Sequence, residues 1–244
     1  LGGLCGAAGP GSVLKLCSSS GEICGIENAV ASFAGGLLGA ALGDNGKNAA
    51  SVQRCCAQGT VTGGTWSGGL IGNASNTVVE NCYTTVTAKN AVYGGGFLGI
   101  GGDASTSGKI SNSYTFGQVS DCFLYGGAFT GSQKESLEKL SGCYYLAPSP
   151  APLPERNAGA SAKPSEFFHS EAALILLNHS SDGPWTAGEE YPYCGAERAD
   201  YSAVEQAAAS IPTDLNNYTE KTVASLNQAI DQILYSCTLA EPAE

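Results

Sequence analysis

Ten cysteines are the most reactive side chains of this 244-residue chain, and their spacing decides which chemistry is open to them. A structural zinc site is typically built from cysteine pairs with CxxC spacing, and the sequence contains no such pair. The cysteines therefore predict no metal site, and no other motif indicates a cofactor. One position of an internal repeat holds a cysteine in four copies and a serine in one: Cys17, Cys55, Cys82, Ser113 and Cys143.

The recurrence of these cysteines favours free thiols over disulfides. Equivalent residues on stacked strands lie about 4.8 Å apart with parallel Cβ vectors, whereas a disulfide needs Cβ atoms about 3.8 Å apart. We therefore expect a buried ladder of thiols. Because extracellular proteins do form disulfides, a bond between Cys194 and Cys237, or between Cys24 and a loop partner, stays open.

Carboxylates and histidines, the usual acids and bases of catalysis, are not grouped in the sequence. A glycosidase needs two carboxylates across the scissile bond, but the acids of the repeats fall at different repeat positions, and no cluster of Lys and Arg accompanies them to hold a uronate. His169 and His179 flank one apolar segment without a partner ladder of acids or cysteines, so surface or capping roles are expected. The scattered acids are Glu22, Glu27, Glu80, Asp103 and Asp121.

A glycine pattern resembling a nucleotide-binding loop is also present. Gly94, Gly96 and Gly99 match G-x-G-x-x-G, but they lie in a box that recurs without this pattern, and no βαβ unit surrounds them. The sequence therefore predicts a chain that is not an enzyme. A β-helix enzyme acting on polysaccharides, or a carbohydrate-binding module, stays open as the alternative.

An internal repeat must position all of these side chains. Each copy has a glycine box followed by an aliphatic residue and then, three positions later, a small one, as in Val79 and Cys82. A period near 30 residues, with glycine-punctuated extended segments, is typical of a solenoid in which each copy buries its apolar face against its neighbours. The five glycine boxes are Gly2–Gly6, Gly35–Gly39, Gly68–Gly72, Gly95–Gly99 and Gly127–Gly131.

The residue types at successive repeat positions predict which side chains face the interior. In the first four copies the cysteine position and the position two residues later hold only small residues, so both should point inward. If Val79 and Cys82 are both buried, the chain must bend near Asn81. The intervening position should point outward, and its tyrosines, Tyr83, Tyr114 and Tyr144, form a predicted binding face; shielding of the sheet is the alternative role.

The pairing of a GGLxG box with a V-x-N-C-Y-x-T box resembles the GLUG repeat found in surface proteins of Gram-positive bacteria. The copy from Gly68 to Thr84 matches best, and the first and fifth copies depart most, with Leu16-Cys17-Ser18 and Gly142-Cys143-Tyr144 in place of Asn-Cys-Tyr. The resemblance implies a right-handed parallel β-helix of about five repeats at residues 1–147. In that family such arrays serve as extended stalk or passenger regions, sometimes beside a protease domain.

The remaining residues predict a different organisation. A proline-rich linker is expected at 148–164, followed at 165–195 by a helix that covers the open end of the solenoid and by a closing segment. At 196–244, two amphipathic patterns predict helices, one ending at Pro212 and one beginning near Thr219. This last segment resembles the FIVAR-like helical repeats of Gram-positive surface proteins.

The distribution of charge narrows the functional classes. Residues 1–147 carry 8 acids and 7 bases, whereas the rest of the chain carries 14 acids and 4 bases, so nucleic-acid binding is not expected. No apolar run approaches the roughly 18 residues that a membrane span needs. The sequence begins inside a glycine box, which indicates a fragment or processed product whose export signal lies elsewhere. We therefore expect an extracellular stalk or adhesin-like segment, cell-surface or secreted. Its expected partners are a host glycan, an extracellular protein or other domains of the parent chain.

Overall fold

The computed structural model describes most of the N-terminal part of the chain, and all structural statements concern these residues: 1–25, 32–44, 48–101, 108–131, 140–147, 159–179 and 183–194. The chain divides into two compact units, Leu1–Gly195 and Ala196–Glu244. The two predicted FIVAR-like helices, Cys237, Glu27 and Asp103 lie outside the described residues.

The first unit is a parallel β-solenoid of about four turns, which confirms the predicted mainly β fold. Each turn follows four faces, and each strand pairs in parallel with the strand one turn away. Face 1 contains the residues that enter each glycine box, and face 2 contains those that leave it. The strands of face 1 are β4 (Phe33–Gly35), β8 (Trp66–Gly68), β13 (Tyr93–Gly95) and β18 (Tyr125–Gly127). Those of face 2 are β1 (Cys5–Ala8), β5 (Leu38–Leu42), β9 (Ile71–Ser75) and β14 (Leu98–Gly101).

Faces 3 and 4 carry the second half of each repeat. The strands of face 3 are β2 (Val13–Lys15), β6 (Ala50–Gln53), β10 (Thr77–Glu80), β15 (Lys109–Ser111) and β19 (Leu140–Ser141). Those of face 4 are β3 (Ser18–Cys24), β7 (Cys56–Thr62), β11 (Tyr83–Thr84), β12 (Thr87–Lys89), β16 (Tyr114–Thr115), β17 (Val119–Ser120), β20 (Tyr144–Leu146) and β21 (Ser161–Lys163). Strand β21 lies within the segment predicted as a linker, and it extends face 4 by pairing with β20.

The glycine box forms the corner between faces 1 and 2, where successive turns approach too closely for a side chain. A Cβ atom on Gly36 would collide with the Gly69 carbonyl oxygen, and one on Gly69 would collide with that of Gly96. A Cβ atom on Gly96 would likewise collide with the carbonyl oxygen of residue 128. Residue 128 is the equivalent position of the fifth box and is an alanine. Each turn therefore requires glycine at this position because of the turn that follows it.

The corner between faces 3 and 4 is a one-residue bend with left-handed backbone geometry. Its φ angle is 54° at Asn81 and 50° at Asn112, and Leu16, Arg54 and Gly142 adopt the same conformation in the other turns. The bend lets Val79 and Cys82 both enter the core, as the sequence predicted. Asparagine and glycine tolerate this conformation, whereas leucine and arginine adopt it at a cost.

The predicted inward positions of the repeat do face the interior. Cys55, Cys82 and Cys143 are buried in the main core, and Thr84 and Thr115 beside them are fully buried. Backbone hydrogen bonds explain why cysteine and serine recur here. The Cys55 N–H donates to Cys82 Sγ at 3.4 Å, and the Cys82 N–H donates to Ser113 Oγ at 3.1 Å. Each small side chain is thus an acceptor for the preceding turn.

A segment that we call the strap, residues 164–194, follows the last strand of the solenoid. It contains two short helices, α1 (Ser165–Phe168) and α2 (Glu171–Asn178), and an antiparallel pair, β22 (Trp185–Thr186) and β23 (Tyr193–Cys194). The sequence predicted one helix over the open end of the solenoid. The strap instead packs on the outer side of face 4, where Phe168 contacts Tyr114 at 5.3 Å between ring centroids. The apolar tyrosines of that face provide the surface against which the helices are buried.

Candidate functional site

Among the described residues, two outward-facing aromatic columns run along the solenoid, and one of them was predicted. The predicted column consists of Tyr83, Tyr114 and Tyr144, which parallel strand pairing places side by side. The rings of Tyr83 and Tyr114 stack with centroids 5.5 Å apart. All three side chains point away from the thiol ladder, as expected, but their exposed fractions are only 7%, 0% and 8%. The predicted binding face is therefore covered, and shielding of the sheet describes its state in this structure.

The strap supplies the cover over the tyrosines. Trp185 lies 5.4 Å from Tyr114 between ring centroids, and Tyr191 lies 5.8 Å from Tyr83. The Tyr114 hydroxyl donates a hydrogen bond to the Pro192 carbonyl oxygen. Burial raises the pKa of both Tyr83 and Tyr114, so these hydroxyls stay protonated at neutral pH. Their chemistry is that of a packed interface.

The bend residues of three successive turns hold the strap in place. Asn112 Oδ1 lies 2.6 Å from His179 Nε2, and Asn81 Oδ1 accepts a hydrogen bond from Trp185 Nε1 at 3.2 Å. One turn earlier, the Arg54 side chain is near enough to the Cys194 thiol to oppose the rise in its pKa that burial causes. His179 is also the C-terminal capping residue of α2, which agrees with the capping role predicted for it.

The second aromatic column lies on face 1 and is partly exposed. We call it the aromatic ridge; its members occupy the first position of each strand of that face. Neighbouring ring centroids are 5.2, 5.7 and 5.5 Å apart, with interplanar angles between 11° and 26°. Each side chain is partly exposed, whereas the next residue of each strand points inward. The ridge consists of Phe33, Trp66, Tyr93 and Tyr125.

The geometry of the ridge limits what it can bind. Because each inner ring stacks on two neighbours, the faces of Trp66 and Tyr93 are occupied, and their edges point to solvent. Stacking of a sugar on an aromatic face is therefore not available at these rings. The ring edges, with the indole N–H and the phenol hydroxyls, suit contacts with protein side chains and carbonyl groups.

The sequence contained a signal for the ridge that the repeat analysis missed. An aromatic residue stands two positions before the glycine box in four copies, for example Trp66 before Gly68 and Tyr93 before Gly95. Its identity varies among Phe, Trp and Tyr, so it does not stand out as a repeated letter. A comparison by side-chain class would have found it.

The acids considered for catalysis that lie among the described residues are not brought together. Glu22 lies on face 4, Glu80 on face 3, and Asp121 directly follows β17 of face 4. Among the residues that the structure describes, no group of three His, Cys, Asp or Glu side chains has an arrangement that could hold a metal ion. Within that same part of the chain, no helix has the length and apolarity of a membrane span.

The thiols of the described residues are all free, in agreement with the predicted ladder. Burial raises the pKa of Cys82 well above its ordinary value and that of Cys143 to about 12. Cys24 is exposed, and Cys56 is partly buried beside the tyrosine column. Cys56 occupies the outward position of its turn, and its packing against the cluster that contains Trp185 and Cys194 of the strap leaves it only partly exposed.

Comparison with known proteins supports the fold and leaves the family open. No family model matches the chain, and no curated protein matches it significantly. A solved structure that resembles it is the crystal structure of a "putative immunoglobulin A1 protease" from Bacteroides ovatus, with a TM-score of 0.55 and 20% sequence identity. The match covers 78% of this chain and 61% of that one. At this identity the likeness shows a shared fold, and the resemblance to GLUG and FIVAR repeats stays a prediction.

The comparison also corrects one prediction. The sequence predicted that the chain is not an enzyme, but a protein with this fold is named as a protease. The β-solenoid fold is therefore no argument against catalysis, and the noncatalytic assignment is withdrawn.

Proposed function

We propose that this chain is the solenoid region of an extracellular bacterial protein and that it recognises a protein partner through the aromatic ridge. The observation that carries this proposal is the row of four partly exposed rings at Phe33, Trp66, Tyr93 and Tyr125. Tryptophan and tyrosine are enriched among the residues that dominate the binding energy of protein interfaces. The ridge is held rigidly by parallel strand pairing, so its rings lose little conformational freedom when they bind.

The class of partner follows from the ring orientation. A glycan would need free ring faces, which the stack leaves only at its two ends, whereas a protein surface can contact the edges and hydroxyls along the whole ridge. Immunoglobulin A1 is the first partner to test, because the structurally similar Bacteroides ovatus protein carries the name of a protease for it.

The test is binding of the purified chain to immobilised immunoglobulin A1, measured by biolayer interferometry. The ridge variant is Trp66→Ser with Tyr93→Ser. The matched control is Ile175→Ser, which removes an apolar side chain that is 60% exposed on α2, outside the ridge. Because each stacked ring pair contributes about 0.5–1.5 kcal/mol to folding, circular dichroism must show that the ridge variant is folded at the assay temperature.

The outcomes separate three functions. Binding that the control keeps and the ridge variant loses supports recognition through the ridge. Binding that both variants keep places the site elsewhere on the chain. Gel electrophoresis of the same mixtures shows whether the immunoglobulin is cut, and cleavage that survives the ridge change would identify a catalytic site separate from the ridge.

A further inference from the structure

The outward column of face 4 changes its residue type at the second turn. Parallel pairing places Cys56 in line with Tyr83, and Tyr83 in line with Tyr114. The stacked rings therefore end at Cys56, whose small side chain leaves room against the sheet. The tyrosine rings above it are covered by Trp185 and Tyr191 of the strap.

The end of the strap returns to this same turn. The Tyr191 hydroxyl accepts a hydrogen bond from Gln58 Nε2 at 3.4 Å, and the Arg54 side chain is near enough to the Cys194 thiol to oppose the rise in its pKa that burial causes. Trp185, whose ring centroid lies 6.1 Å from that of Tyr83, pairs with Cys194 across the strap. Cys56 is the strand neighbour of Tyr83 on the same face.

Both thiols belong to one apolar cluster between the strap and face 4. Cys194 is buried with an exposed fraction of 4%, and Cys56 packs against the edge of the cluster. Two thiols from segments 138 residues apart in the sequence are therefore gathered in one apolar cluster. The thiol ladder does not use either of them, because its side chains point to the interior.

We propose that Cys56 and Cys194 are a disulfide-forming pair that links the strap to the solenoid. The reaction is thiol–disulfide exchange with a small-molecule disulfide such as glutathione disulfide. The Cys56 thiolate attacks one sulfur of the reagent and releases one glutathione thiolate. The Cys194 thiolate then attacks the mixed disulfide at Cys56 and releases the other. The two protein thiols lose two protons and two electrons, and the reagent is reduced to two glutathione molecules.

The bond would fix the cover over the tyrosine column. This inference goes beyond the proposed partner recognition, because neither cysteine belongs to the ridge on face 1. Burial raises the pKa of Cys56, and it raises that of Cys194 to about 11, so the exchange should be slow at neutral pH and faster in mild alkali.

The experiment treats the full reduced chain with glutathione disulfide at pH 8.5, blocks the remaining thiols, and maps cross-linked peptides by tandem mass spectrometry. The informative pair of variants is Cys56→Ser and Cys55→Ser, neighbours on opposite sides of the sheet. We expect the cross-linked peptide in the wild type and in Cys55→Ser, and its loss in Cys56→Ser and in Cys194→Ser. Circular dichroism of the reduced variants establishes that each is folded.

A parallel oxidation in concentrated urea tests the dependence on the fold. The native state should give the Cys56–Cys194 bond selectively, and the unfolded chain should give mixed pairings. The inference is overturned if folded wild-type protein gives no Cys194 cross-link, if Cys194 is joined to Cys237, or if the Cys194 cross-link persists in Cys56→Ser.

Discussion

His179 at the end of α2 lies 2.6 Å from the Asn112 side-chain oxygen, Nε2 to Oδ1, although 67 residues separate them in the chain. Since Asn112 Oδ1 is an acceptor, the imidazole nitrogen donates. Asn112 also has the left-handed conformation that makes the bend between faces 3 and 4. One residue thus turns the solenoid and fastens the strap, and Asn81 does the same with Trp185 one turn earlier.

Substitution of the corner glycine should be severely destabilising. Gly69→Ala would place a methyl group against the Gly96 carbonyl oxygen, and both turns would have to separate. We expect a loss of about 3 kcal/mol in the free energy of unfolding, at the upper end for overpacking. The control is Gly6→Ala in the first glycine box, where nothing lies within 4 Å of the added atom. Urea titrations of both variants provide the comparison, and equal stabilities would refute the collision.

Relief of a strained bend should stabilise the protein. Leu16 has a φ angle of 58°, a conformation that costs a residue with a branched side chain about 1–2 kcal/mol. Leu16→Asn matches the residue of the third and fourth turns, and we expect a gain of about 0.5 kcal/mol after loss of some apolar burial. Thermal unfolding followed by circular dichroism measures it. Lys15→Asn, on the neighbouring strand residue, should give no gain.

The thiol ladder should tolerate serine better than alanine. In Cys82→Ala the buried Cys55 N–H loses its acceptor, which costs about 1–3 kcal/mol. Cys82→Ser retains an acceptor, as Ser113 does in the next turn. The difference in unfolding free energy between the two variants measures the hydrogen bond. A serine variant less stable than the alanine variant would indicate that sulfur packing dominates.

Thiol labelling should follow burial. With a water-soluble maleimide under reducing pretreatment, we expect the exposed Cys24 to react first, Cys56 later and Cys82 last. Burial raises the pKa of Cys56 and of Cys82, so a smaller fraction of each side chain is thiolate at pH 8. Labelling of Cys56 should therefore accelerate as pH rises. Peptide mass spectrometry at several times gives the order. Rapid labelling of Cys82 in the folded state would reverse the assigned faces.

Alkaline pH should weaken the folded state through the tyrosine column. Burial holds the pKa of Tyr83 and Tyr114 above their unfolded values, so the unfolded chain loses these protons first as pH rises. Stability is therefore unaffected by these groups below about pH 10 and falls above it. Tyr114→Phe should reduce that fall, while costing about 1 kcal/mol at neutral pH for the hydrogen bond to Pro192. Unfolding titrations at neutral and alkaline pH test both effects; a slope unchanged in Tyr114→Phe would contradict the assignment.

The interior of the solenoid was predictable because only small residues occur at the positions of Cys55 and Cys82, and close packing of turns is a local property of the repeat. The place of the strap was not predictable in the same way. An outward tyrosine such as Tyr114 has the same sequence signature whether solvent or a later part of the chain lies over it. Only the three-dimensional course of residues 164–179 and 183–194 distinguishes the two.

The sequence predicted only one of the two roles of the bend residues. A bend at Asn81 followed from the need to bury both Val79 and Cys82, but the hydrogen bond from Trp185 did not, since no spacing rule links residues 104 apart. The ridge was missed for another reason, because its members differ in identity while sharing shape and position.

The collision at the glycine corner also constrains how such an array can grow by gene duplication. If a new repeat were added after the fifth, the carbonyl oxygen of its glycine box would collide with the methyl group of Ala128. The carbonyl oxygen of residue 128 lies in the same way against the Cβ position of Gly96, where no methyl group is present. Lengthening at that point would require a compensating change to glycine, whereas duplication of an internal repeat such as the third brings its glycines with it. Each glycine is thus constrained by the turn that follows it, so this position in the last copy is the least constrained.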